Sequence, residues 1–171
     1  MRFLFRFPRR THAGLAGVLL AASIAAAGCG NANDGHRDDI ARDLGVASAA
    51  YTTYISEPAQ SGQLGPTTPK SSPTSDHAAQ AARYAMRALE DARAKAADDP
   101  QLASFAQKTA AASASLSAVT QVLERGRPNR TVIAGGMASL ESLNAAARDL
   151  GITVGAHTVS AADLAAPAAG S

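Results

Sequence analysis

Few residues in this chain are of a type and spacing that could do chemistry. Beyond residue 28 it keeps three histidines, His36, His77 and His157, which stand in a tether, at a helix start and in a tail, where solvated imidazole is expected rather than a metal ligand. The carboxylates Glu90, Asp91, Glu124, Glu141 and Asp149 lack the Glu-x-x-His partners from which helical bundles build di-iron sites. Met86 and Met137 fall at helical spacing, where methionine fills core or surface rather than ligating haem. No Gly-x-Ser-x-Gly, His-Glu-x-x-His or phosphate-loop motif occurs. The expectation is a protein with no catalytic residues, no metal and no cofactor. One reactive group stands apart: Cys29, the only cysteine of 171 residues.

Its setting gives Cys29 a role. Arg2, Arg6, Arg9 and Arg10 precede an apolar run of small side chains over residues 15–27, and the run closes with Gly28 and Cys29. Basic start, apolar middle and small-residue end are the three parts of a secretory leader. Thirteen apolar residues rise about 20 Å as a helix, short of the roughly 30 Å hydrocarbon core, so a permanent spanning helix is disfavoured. The fuller twin-arginine export motif is missing, because Pro8 precedes Arg9-Arg10 and Thr11-His12 follow it. A lone cysteine cannot close an internal disulfide in an oxidising compartment, which leaves its thiol available for another use.

The junction Ala26-Ala27-Gly28-Cys29 resembles the lipobox of bacterial lipoproteins, a resemblance confined to about the first thirty residues. The family usually has leucine where Ala26 stands. The resemblance implies transfer of a diacylglyceryl group to the Cys29 thiol, cleavage after Gly28, and acylation of the new amino group. Two or three acyl chains, at about 0.8 kcal/mol per buried methylene, hold a domain at a membrane stably. It implies a lipid anchor on the outer side of the cytoplasmic membrane or in the outer membrane facing the periplasm. Membrane lipid is then the first partner and an envelope protein the second.

Charge excludes another class. The formal net charge is +2, but four of the 16 basic residues lie in the leader and all 14 acidic residues lie beyond it, so the product starting at Cys29 carries −2. Basic and acidic side chains then interleave, as in Arg87-Ala88-Leu89-Glu90-Asp91-Ala92-Arg93, and no face builds the positive field that nucleic acid requires.

The elements behind these residues are helical. Alanine contributes 42 residues and aromatics only 4%, too little mass for a sandwich or barrel core. We expect an all-α fold, an up-down helical bundle of three to four helices with a disordered Pro/Ser/Thr linker and tail. Residues 1–28 form the leader and 29–35 a flexible tether. Residues 36–56 form a first helix with Ile40, Leu44, Ala47, Tyr51 and Tyr54 on one face, Arg42 and Asp43 elsewhere, and Pro58 as its stop. Residues 58–75 hold four prolines and almost no apolar side chains, which predicts a disordered linker.

Residues 76–150 form an antiparallel three-helix unit. Its first helix, 76–97, points Ala78, Ala82, Ala85, Leu89, Ala92 and Ala96 inward and Arg83, Arg87, Asp91 and Lys95 outward. Asp99-Pro100 caps the second, which runs to about Arg125 through Leu102, Phe105, Thr109, Ala112, Leu116, Val119 and Leu123. Asn129-Arg130-Thr131 reads as a turn and cap for the third, 131–150, whose first turns Gly135-Gly136 should weaken. Residues 151–171 form a flexible tail with a β-like patch, Ile152-Thr153-Val154, and a capping start at Ser160 to Asp163.

Two functions fit this architecture. The first is a non-enzymatic interaction module in the cell envelope. The second is a binder of small apolar ligands, with a cavity beside Tyr51, Phe105 and Leu116. A murein tether ranks last, because the chain ends Ala-Ala-Gly-Ser without the C-terminal lysine such tethers use.

Overall fold

The computed structural model describes residues 35–165. The leader, Cys29 and the tether up to residue 34 lie outside the described residues, as do residues 166–171. All regular structure among the described residues is helical. Helix α1 covers residues 35–60, with a π-helical segment Thr52–Ser56 inside it and Glu57–Gln60 as its last turn. Helices α2 (Pro73–Ala97), α3 (Ala103–Glu124) and α4 (Arg130–Asp149) follow, with a 3-10 turn Pro100–Leu102 leading into α3 and a short α5 (Ala161–Ala165) near the end.

The inward stripes predicted for the first three helices form the core together with an apolar face of the fourth. Every stripe residue predicted for the helices now labelled α2 and α3 is buried, as are Ile40, Leu44, Ala47 and Tyr51 of α1 and Ile133, Leu140, Leu143 and Ala147 of α4. Side-chain pairs join the helices, and where two pairs join the same helices they run in opposite senses. Asp43 meets Lys95 and Tyr54 meets His77 between α1 and α2; Arg83 meets Glu124 and Met86 meets Thr120 between α2 and α3. Ser115 meets Ser139 between α3 and α4, while Ser48 with Asn144 and Tyr51 with Ile133 close α1 onto α4. Helix α1 thus packs on α2 and α4 within one molecule.

The helix ends follow their capping chemistry. Asp99 Oδ1 accepts from Gln101 N at 2.8 Å and Asn129 Oδ1 from Thr131 N at 2.9 Å, each satisfying an N–H that has no partner within its helix. Ser72 caps α2, which starts three residues earlier than Asp76 because Pro73 fits the first helical position. At the other ends, Gly126 and Gly151 adopt φ of 66° and 76°, and the following residues return N–H bonds to Val122 O and Ala147 O. This left-handed exit is accessible to glycine without strain.

Four expectations are corrected. Helix α1 does not stop before Pro58 but passes through it to Gln60. In the π segment Glu57 N–H bonds to Thr52 O, and proline follows where its missing donor is tolerated at a new first turn. The linker is not disordered: residues 61–72 are a chain of turns, with Leu64 fully buried and its N–H on Pro58 O. The tail is ordered to residue 165, because Ile152, Val159 and Leu164 are buried and α5 packs on α2. Finally, α4 does not fray at its glycines. Gly136 is buried against Tyr51 and Val119, where a Cβ would lie 2.9 Å from Val119 Cγ2.

Candidate functional site

The residue assigned to chemistry, Cys29, lies outside the described residues, and the described chain begins its first helix six residues later, at residue 35. Among the described residues no group of three His, Cys, Asp or Glu side chains is placed to hold a metal ion. Glu90, Asp91, Glu124, Glu141 and Asp149 are all exposed and do not converge. Met86 and Met137 are half-buried, each facing a threonine hydroxyl, Thr120 at 3.3 Å and Thr52 at 4.0 Å.

The tyrosines and histidines are more informative. Tyr51 is fully buried, and its hydroxyl donates to Ile133 O at 2.6 Å. Burial pushes its phenol well above the ordinary tyrosine value. Gly136 makes that position possible, since any side chain there would overlap the hydroxyl. Tyr54 stays half-buried at the seam of α1 and α2; its hydroxyl donates to Val159 O at 3.1 Å, and the His77 ring meets it edge-on at 5.9 Å. His157 lies over Gly45, where a Cβ would overlap its ring.

One ionic contact departs from the predicted wheel. Asp43 does not face solvent but is largely buried, with Lys95 Nζ at 2.6 Å and Arg42 Nε at 3.6 Å. Lys95, placed outward by the periodicity, leans across the α1 to α2 seam to reach it. Its long apolar stem lets the ammonium span that distance. No motif announces this pair. Gly45 was the available signal for the tail contact, since a glycine inside an otherwise alanine-rich helix marks a close approach.

Tyr51, Phe105 and Leu116 are completely enclosed by their neighbours. The grooves described on the surface are lined by other residues and open to solvent. One of about 320 Å³ runs between α3 and α4 past Lys108, Ala111, Ser115, Ser139 and Ser142. Another of about 240 Å³ lies between the end of α1 and the start of α4, by Gln60 and Arg130. No described helix is long and apolar enough to cross a membrane. The chain matches no protein-family model, no curated protein and no solved structure.

Proposed function

We propose that this chain is a lipid-anchored helical interaction module of the bacterial cell envelope, held to the membrane through acylated Cys29 and acting by contact with another envelope protein rather than by catalysis. The observation that carries this reading is the position of Cys29. The only thiol of the chain directly follows Ala26-Ala27-Gly28 at the end of a basic and then apolar leader. The short tether from Cys29 to α1 agrees with it, since a few small polar residues suffice to hold a folded domain beside the headgroups. Contact as the mode of action is supported by the outer face of α3. Ala103, Ala111, Ala114 and Ala118 are exposed there, and such small side chains let another surface approach closely.

Expression of the precursor in a bacterium with a lipoprotein pathway tests the anchor. The membrane-extracted product should have the intact mass of residues 29–171 plus acyl groups, and the Cys29→Ser variant should lose that mass. An unlipidated product, or an uncleaved precursor, would remove the anchor. Cross-linking on intact cells then tests the second half: a discrete adduct with an envelope protein is expected, and its absence across several cross-linker lengths would count against an interaction module.

A further inference from the structure

Where α1 ends and α4 begins, a groove of about 240 Å³ lies between Ser56, Ala59 and Gln60 on one side and Arg130, Ile133 and Ala134 on the other. The π segment Thr52–Ser56 shapes the first wall. Five residues after Tyr51, Ser56 would stand about 140° around an α-helix from the face that Tyr51 turns to α4. In a segment whose bonds close from i to i+5 it returns almost beneath Tyr51, and only 6% of its surface is exposed. Ala59, three residues on, is buried as well.

The polar side chains that line this groove can all donate, and none is a carboxylate. The Ser56 hydroxyl accepts from Gln60 Nε2 at 3.0 Å and gives its own proton to no acceptor among the described residues. A buried donor left in that state costs free energy until something accepts from it. Gln60 Nε2 keeps a second proton, and Arg130 forms no ion pair among the described residues. The Arg130 guanidinium reaches toward the end of α1, since a Cβ on Gly62 would come 3.8 Å from its Nη2. Helix α4 begins at Arg130, so the positive end of its dipole lies at the same edge. The rest of the lining is aliphatic: Ala59 and Ile133 are buried and Ala134 is exposed.

We propose that this groove is a binding site for a short aliphatic carboxylate. Arg130 pairs with the carboxylate, Ser56 and Gln60 donate to it, and the alkyl part rests on Ala59, Ile133 and Ala134. The planar fork of a guanidinium matches the two oxygens of a carboxylate, which a lone ammonium does not. An apolar floor with a few convergent polar groups is the usual composition of a small-ligand site. Two sources offer this chemistry: a free short-chain acid, and the C-terminal residue of a peptide that ends in a small aliphatic side chain. The assignment goes beyond the interaction-module reading and does not depend on the anchor at Cys29.

The test titrates the full chain, in a neutral detergent, with isovalerate and separately with acetyl-alanyl-alanine. Binding is followed by the NMR shifts of the Gln60 side-chain amide and of the Ala59 and Ile133 methyl groups. Saturable shifts centred on these groups are expected. Saturation by isovalerate alone makes the ligand a free acid, and saturation by the peptide alone makes it a chain terminus. The carboxamide of either probe should not bind. Arg130→Gln should weaken binding about tenfold, and Arg130→Lys by less, because lysine keeps the charge without the fork. Ala134→Leu should fill the groove and abolish binding. Both positions are exposed, so these variants should keep the circular dichroism of the unaltered chain. Arg125→Gln, outside the groove, should bind as the unaltered chain does. Failure of both probes to saturate would overturn the proposal. So would equal affinity for acid and carboxamide, or binding that survives both Arg130→Gln and Ala134→Leu unchanged.

Discussion

Two adjacent glycines of α4 have opposite meanings. Gly135 is exposed with open space around its Cα, so Gly135→Ala should stabilise the chain by about 1 kcal/mol, the ordinary difference in helix propensity. Gly136 faces Tyr51 and Val119 with no room for a methyl group, so Gly136→Ala should destabilise it by about 2 kcal/mol, as overpacking does. Urea unfolding of the two single variants checks the contrast, and equal effects would show that the Tyr51 contact is not limiting. Tyr51 also sets an alkaline limit. Its phenol is raised in the folded state, so its contribution is complete below the unfolded value of about 10 and is lost as pH rises above it. Tyr51→Phe should flatten the fall in the urea midpoint above that pH, while costing about 1 kcal/mol near neutrality for the hydrogen bond to Ile133 O. Neither the special place of Gly136 nor the depth of Tyr51 was legible in the sequence. A glycine pair in a helix reads as weakness until the neighbouring helix is known.

At the scale of elements, the readable signals were those that act locally. Asp99-Pro100 and Asn129 declared their caps, and the stripe from Leu102 to Leu123 declared its buried face, because capping and periodicity depend on residues a few positions apart. The turns over residues 61–72 and the ordered tail after Gly151 were missed for the converse reason. Leu64, Ile152, Val159 and Leu164 are isolated apolar residues in polar surroundings, and their burial depends on surfaces distant in sequence. The short α5 carries the clearest element-level prediction. Asp163 accepts from Ser160 N at 2.8 Å and from Ser160 Oγ at 2.7 Å, and Ser160 Oγ accepts in return from Asp163 N, a reciprocal cap. These bonds hold the Asp163 carboxyl below the usual carboxylate value. The cap is therefore present above the unfolded value, about 3.9, and is lost as pH falls through the lower folded one. The protection of the Ser160 and Asp163 amides, taken against their intrinsic exchange rate at each pH, should fall on acidification in the native chain, and already be low at neutral pH in Asp163→Ala. Slow exchange in that variant would mean that Leu164 alone seats α5.

At the scale of the whole molecule, the all-α class followed from composition, and the core from periodicity. The arrangement of α1 did not, since a Pro-rich connection leaves open whether a helix packs in its own chain. The paired contacts of Asp43 with Lys95 and Ser48 with Asn144 settle that point. Cys29 is read from a leader that is a linear string, whereas the contacts of Asp43 with Lys95 and of Tyr54 with Val159 join residues far apart in the chain and have no linear signal. The interior has one further consequence, and it concerns heat. Among the described residues, thirteen of the thirty buried apolar side chains are alanines. Alanine brings little hydrocarbon out of water but also gives up no side-chain rotamers on burial. The heat-capacity increment of unfolding, which follows exposed apolar area, should then fall below the roughly 12–15 cal/mol/K per residue usual for globular proteins. Calorimetry at several pH values would measure it. A low increment means a shallow stability curve, with folding free energy changing little from cold to warm, whereas an ordinary one would mean that the few large side chains, led by Phe105 and Tyr51, dominate the thermal response.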